Sequence, residues 1–244
     1  MRSILAVTAI LLAAPLLAQN ERILLPVFTE PVDGAFGSKF YTSAIVANTG
    51  DTVLTLLGLT FDCGIQSFCH GPDELTMEPG RVFRSGELIF NGTPGRFVLV
   101  PKNDLPRLSM NLRVQDNSRE ELNFGTEMPI VRESEFVTGR IVFPMVHVAY
   151  QYFRNTLRIY AERPVDVLVT VGEQPPVRIA LTGATDLFDP AYGVFTDFPH
   201  VLGKQIPVIV EVDPSGLTTP VPIWAFITVT NNQTQVITTI TPRP

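Results

Sequence analysis

The sequence predicts an all-β protein in which one strand plan is written twice. Three observations predict it. Stretches such as NLRVQ and ITVTN alternate apolar and polar residues, the period-2 pattern of a half-buried strand. Runs rich in β-branched residues (TVLTLLGL, RFVLV, DVLVTV, IPVIVEV) are separated by Gly, Pro, Asn or Asp, which punctuate strands. Three sequence blocks also recur in the same order, as duplicated architectures require.

Residues 1–18, MRSILAVTAILLAAPLLA, carry a charge at Arg2, run apolar from Ile4 to Leu17 and end on Ala18 before Gln19. This is the pattern of a cleaved secretory signal peptide. A membrane-spanning helix needs ~20 apolar residues, and neither this run nor any later one is long enough. No Cys follows the cleavage site to carry a lipid. The expectation is a mature chain that is secreted, extracellular or periplasmic, with no membrane span.

Charged residues make up 17% of the chain and Pro occurs 21 times. Ordinary soluble domains carry ~25% charge, so this balance points away from exposed helices. The formal net charge is −6, and becomes −7 when Arg2 leaves with the leader. Lys and Arg are scattered, so nucleic acid is excluded as a partner.

At ~100–150 residues per domain the remaining chain makes two, 20–133 and 134–244. RILLPVF (22–28) lies over RIVFPMV (140–146), and ANTGDTVLTLLG (47–58) over AERPVDVLVTVG (161–172). Leu108, Met110, Leu112 and Val114 lie over Ile223, Ala225, Ile227 and Val229, so the three offsets are 118, 114 and 115. About seven strands in ~110 residues fits an immunoglobulin-like sandwich for each copy. Pro26 and Pro144 occupy the same place in the first strand of each copy. Proline cannot donate to a ladder, so that strand is expected at a sheet edge, broken there, where it can pass between sheets. The stretch TEMPIVRESEFVTG is expected to be a short, stiff linker, not a Gly/Ser tether.

Cys63 and Cys69, in DCGIQSFCH, are the only cysteines. In an oxidising compartment they are expected to form a disulfide. The alternative is a metal site with His70 and an acid such as Asp62 or Asp73, although zinc sites usually space their Cys more closely.

Several of these segments carry a resemblance. RILLPVF, SAIVANTGDTVLTLLGL, LTMEPGRVF and the closing alternating strand resemble the immunoglobulin-like adhesion modules of bacterial secreted proteins. Asn48-Thr49-Gly50-Asp51 matches their N-x-G-D turn and Glu78-Pro79-Gly80 their L-x-P-G turn. Copy 2 departs from the pattern with Ala161-Glu162-Arg163-Pro164. The whole mature chain also resembles a group of uncharacterised secreted bacterial proteins that end in a W-A-F-x-x-V-T-N-N-x-T-Q strand and turn. The resemblance implies export and fold, and no chemistry.

The histidines are His70, His147 and His200. None stands in an H-E-x-x-H helix or beside a G-x-S-x-G elbow, and no glycine-rich phosphate loop follows a strand. No catalytic residue, metal site or cofactor is assigned. His147 reads as a polar side chain on a half-buried strand, and His200 lacks a nucleophile beside it. Asp186, Asp189 and Asp197 are candidates for calcium or for paired carboxylates, but their Asp-Pro and Gly surroundings read better as a turn. The sequons at Asn91 and Asn232 read as turns as well.

If Ala225, Ile227 and Val229 face the core, then Trp224 and Phe226, followed by Thr228, face the other way. In the first copy that face carries Ser109, Asn111, Arg113 and Gln115. Two readings follow: another part of the chain covers the aromatics, or Trp224, Phe226 and Thr228 form a binding surface. The function expected is a non-enzymatic adhesion or scaffolding protein whose partner is an envelope protein or glycan. The alternatives are a carbohydrate-binding module using Trp224 and nearby aromatics, Tyr residues among them, and a hydrolase using the 186–197 aspartates.

Overall fold

The computed structural model describes residues 19–26, 32–61, 74–84, 88–89, 94–118, 124–148, 151–199 and 205–242. The leader 1–18, Asp62, Cys63, Cys69, His70, Asp73, Asn91 and His200 lie outside the described residues. The protein is all-β, and among the described residues the named helical elements are short 3-10 turns, the longest at Lys102–Arg107.

The N-terminal half contributes β1 (Asn20–Pro26), β2 (Val32–Asp33), β3 (Lys39–Asn48), β4 (Leu54–Leu57), β5 (Thr60–Phe61) and β6 (Glu74–Met77). It continues with β7 (Val82–Arg84), β8 (Leu88–Ile89), β9 (Gly95–Pro101), β10 (Leu108–Asp116), β11 (Thr126–Glu127) and β12 (Val131–Arg132). One antiparallel sheet has the order β12-β1-β9-β4-β6, and a second runs β11-β10-β3-β2 with β7 also on β3. Strands β5 and β8 pair separately.

The C-terminal half contributes β13 (Arg140–His147), β14 (Phe153–Ala161), β15 (Val165–Val171) and β16 (Val177–Gly183). It ends with β17 (Ala191–Phe195), β18 (Gln205–Val212), β19 (Ile223–Asn231) and β20 (Ile237–Ile240). These form one path, β13-β18-β15-β16-β17-β14-β19-β20. The path doubles over at β16, which pairs β15 through residues 177–181 and β17 through Thr182 and Gly183. Ile141, Phe143, Val167, Val169, Val208 and Val210 of one layer therefore bury against Leu157, Ile159, Ala225 and Ile227 of the other.

The two halves use the same pairings. β1·β9 corresponds to β13·β18, β3·β10 to β14·β19, β4·β9 to β15·β18 and β4·β6 to β15·β16. β3·β7 likewise corresponds to β14·β17 and β10·β11 to β19·β20. Residue identity alone places the second recurring block one position out. Leu54 and Leu56 face the first core, whereas their letter-for-letter partners Leu168 and Thr170 point away and Val167 and Val169 face the second. A slip of one residue exchanges the faces of a strand.

Two expectations are corrected. β13 ends its sheet path and shifts register between Phe143 and Val146, across Pro144, as an edge strand broken by proline should. β1, in contrast, is flanked by β12, which pairs Ile23 and Leu24. The flanking strand comes from the stretch expected to be a linker, whose residues supply β11 to one sheet and β12 to the other. After Pro26 the chain does change sheets, since β1 and β2 belong to different ones. His147 lies on the exposed face of the half-buried strand β13, with its ring against the Gln205 amide.

The two turn motifs named above touch one another. Asn48 is 1% exposed; its Nδ2 donates to the Thr52 and Met77 carbonyls at 2.8 and 3.0 Å, while its Oδ1 accepts the Gly50 N–H. Its backbone exchanges bonds with Gly80 and Arg81 of the second turn. In the other half, Asp213 is held below the usual aspartate range by the Ser215 hydroxyl and backbone N–H, with Arg178 adding to the effect.

Asn48→Ala leaves the buried Met77 carbonyl and the part-buried Thr52 carbonyl without their donor, and urea denaturation should show a loss of about 2 kcal/mol. For Asp213, a lowered folded-state pKa contributes stability above the ordinary aspartate value, and that stability is lost as pH falls through the folded value. The stability gap between wild type and Asp213→Asn should therefore be widest near neutral pH and close as pH drops below ~4.

Candidate functional site

Strands β14 and β19 pair along their whole length, and alternation gives them one face toward the C-terminal core and one away from it. On the outward face Tyr160 lies opposite Trp224, Arg158 opposite Phe226, Thr156 opposite Thr228 and Arg154 opposite Thr230. That row is aromatic at one end and hydroxyl- and guanidinium-bearing at the other.

The aromatic end is interior. Tyr160, Trp224 and Phe226 are 0%, 4% and 0% exposed and belong to the core of the N-terminal half. Ring centroids lie 6.0 Å apart for Tyr160–Trp224 and 5.2 Å for Trp224–Phe226. The N-terminal half receives them closely. The Tyr160 hydroxyl donates to the Pro94 carbonyl at 3.0 Å, and a Cβ added at Gly95 would lie 2.8 Å from the Tyr160 ring. Phe97 to Val100 are buried at every position, which a strand permits only when both its faces are covered. Of the two readings, the geometry provides the internal cover for Trp224 and Phe226, which form no open platform, while Thr228, also largely buried, borders the cleft described below.

The loop with the three aspartates docks the same seam. Asp186 Oδ1 accepts the Phe188 and Asp189 backbone N–H groups, an Asx turn. The Phe97 N–H then donates to the Phe188 carbonyl at 2.6 Å, and Asp189 pairs with Arg96 at 3.2 Å. Gly58, at φ +94°, has no room for a Cβ beside the Phe188 ring. Asp197 is exposed on a separate stretch. Among the described residues no cluster of His, Cys, Asp and Glu is arranged to hold a metal ion. Nor is any described helix long and apolar enough to cross a membrane.

The polar end of the row floors a cleft of about 250 Å³ between the halves. Arg154, Thr156, Arg158, Thr228 and Thr230 line one side, and Phe40, Tyr41, Thr42, Val114 and Met128 the other. Arg158 donates to Thr228 Oγ1 at 2.9 Å and lies against the Phe226 ring and the Tyr192 hydroxyl. Burial pushes the Tyr192 hydroxyl above its usual value, and Arg158 opposes that shift. Arg154 donates to Asn232 Oδ1 and Gln235 Oε1, each at 2.8 Å, and its guanidinium lies 5.4 Å from the Phe36 ring centroid. Burial pulls the Arg154 guanidinium below its usual value; even so, arginine stays charged.

The C-terminal motif therefore builds much of this region. Trp224 and Phe226 enter the neighbouring core, and Thr230 lines the cleft. In the turn, Asn231 Oδ1 accepts the Gln233 and Thr234 N–H groups, which presents Asn232 and Gln235 to Arg154. Reading β19 alone missed Tyr160, Arg154 and Arg158. The signal was present in FRNTLRIYA, whose alternate residues carry both arginines and the tyrosine.

Truncation of a buried aromatic costs about 3–5 kcal/mol, against about 0–1 kcal/mol for an ion pair near the surface, so the aromatics dominate the seam. Trp224→Ala should lower the unfolding free energy by about 3–5 kcal/mol, while Asp189→Asn should cost under about 1 kcal/mol. Because Trp224 is the only tryptophan, wild-type emission should be blue-shifted and poorly quenched by iodide.

In comparisons with known proteins, no family model matches the chain, and neither a curated protein nor a solved structure does.

Proposed function

We propose that the protein is an exported, non-enzymatic binding or scaffolding protein. It is built of two tandem immunoglobulin-like sandwiches, 20–133 and 134–244, that act by adhesion or assembly at the cell surface or in the periplasm. The observation that carries this reading is the recurrence of one pairing plan in two halves joined by a packed aromatic seam. Such a joint sets the spacing of the surfaces on either side, which is what a scaffold needs.

Export is supported by the leader pattern of residues 1–18 and by the Cys63–Cys69 pair, which suits a disulfide in an oxidising compartment. The hydrolase alternative loses support because Asp186 closes a turn and Asp189 is paired with Arg96. The carbohydrate-binding alternative has to move from Trp224, which is buried, to the arginine-lined cleft.

Fractionation of an exporting bacterial host, with intact-mass measurement of the product, tests the reading. The expected product begins at Gln19, is lighter by two hydrogens than the dithiol form, and remains on washed envelopes. A full-length chain with free thiols, recovered from the cytoplasm, would overturn it.

A further inference from the structure

The cleft holds two guanidiniums whose partners are all neutral. Arg154 is held by side-chain amides and Arg158 by hydroxyls and an aromatic face. Neither is in an ion pair among the described residues, whereas Arg22, Arg96, Arg140 and Arg178 all face carboxylates. Placing unneutralised charge in a partly buried cleft is costly. Doing so in a chain with an excess of acidic residues means that the cleft has a local charge opposite to that of the molecule.

A guanidinium has five N–H donors. The amide bonds of Arg154 occupy two of them and fix the plane of the group, and Arg158 is held by one bond to Thr228 with the Phe226 ring beside it. Both are thus held ready for an anion, with little side-chain entropy left to lose on binding. Four residues along a strand separate the two arginines by ~13 Å at the backbone. That span is long for two groups meant to clamp one phosphate. Between them stand Thr156 and its cross-strand partner Thr228, with Thr230 opposite Arg154, and across the cleft from these lie Phe40, Tyr41 and Thr42. Drug-sized ligands occupy ~300–1,000 Å³, so about 250 Å³ suits a smaller unit, such as one sugar ring. A ring carrying hydroxyls and one carboxylate matches this order of groups, and the second guanidinium stands where a neighbouring charged unit of a polymer would come.

We infer that the cleft between the halves binds a uronic acid unit of an acidic polysaccharide, with Arg158 and Arg154 taking carboxylates and Thr156, Thr228 and Thr230 taking ring hydroxyls. The inference rests on the proposed export only for the source of the ligand; the chemistry of the cleft is independent of it.

Isothermal titration calorimetry of the purified mature chain tests this, with tri-galacturonate, free galacturonate, a neutral galactose trisaccharide and inorganic phosphate as probes. The expected result is binding of tri-galacturonate that weakens with added salt, weaker binding of the monomer, and none of the neutral sugar. Arg158→Gln and Arg154→Gln should each reduce affinity by about tenfold or more, as expected for one charge-assisted hydrogen bond. Arg140→Gln, on the far edge strand, should leave it unchanged. Arg158 also supports the seam, so Arg154→Gln, which leaves the Arg158 contacts with Thr228 and Phe226 in place, keeps the test valid if the first variant unfolds. Equal binding of the neutral trisaccharide, binding of phosphate alone, tighter binding of the monomer than of the trimer, or no binding of any probe overturns the assignment. Because the titration uses purified chain, its failure leaves the export reading to be judged by fractionation.

Discussion

The architecture depends on the face that β14 and β19 turn away from their own core. Tyr160, Trp224 and Phe226 on that face are part of the hydrophobic interior of the N-terminal half, so the two halves share a core across their joint. A joint held by polar contacts alone would be a hinge, since exposed ion pairs contribute little after screening and side-chain entropy. Three buried aromatic rings change that balance. The hydrogen bonds and ion pairs around them, Tyr160 to Pro94, Phe97 to Phe188 and Arg96 to Asp189, set orientation more than strength.

The cleft follows from the same face. Moving along β14 from Tyr160 toward Arg154, the row changes from rings to hydroxyls and guanidiniums. The aromatic end closes against the other half, and the polar end, which gains nothing by being dehydrated, stays open enough to leave a space. The NNQTQ turn then fixes the outermost arginine. One pair of strands thereby serves three purposes: it closes its own sandwich on one face, anchors the neighbouring half at one end of the other, and floors a polar cleft at the remaining end.

The pairing plan shared by the two halves offers the comparison. The outward face of β10, at the same place in the N-terminal pairing plan, carries Ser109, Asn111, Arg113 and Gln115, and Arg113 holds the passing strap at Phe124 and Gly125 through their carbonyls. A face that needs only a strap of backbone can stay polar. The corresponding face of β19 meets a whole second body, and there large aromatics contribute most per residue.

The sequence by itself determined the strand content, the double use of one plan, the break at Pro144 and the alternation that sets Trp224 and Phe226 opposite Ala225 and Ile227. All of these are local: they follow from period, from proline's missing N–H and from turn chemistry within a few residues. Only the tertiary structure decided what covers the aromatic pair, that β12 lies beside β1, that the second recurring block is displaced by one residue, and that Arg154 and Arg158 converge with Phe40, Tyr41 and Thr42. Each of those depends on which surfaces meet across long sequence separations. Burial free energy is non-directional, so a local pattern says that a face must be covered without naming the segment that covers it.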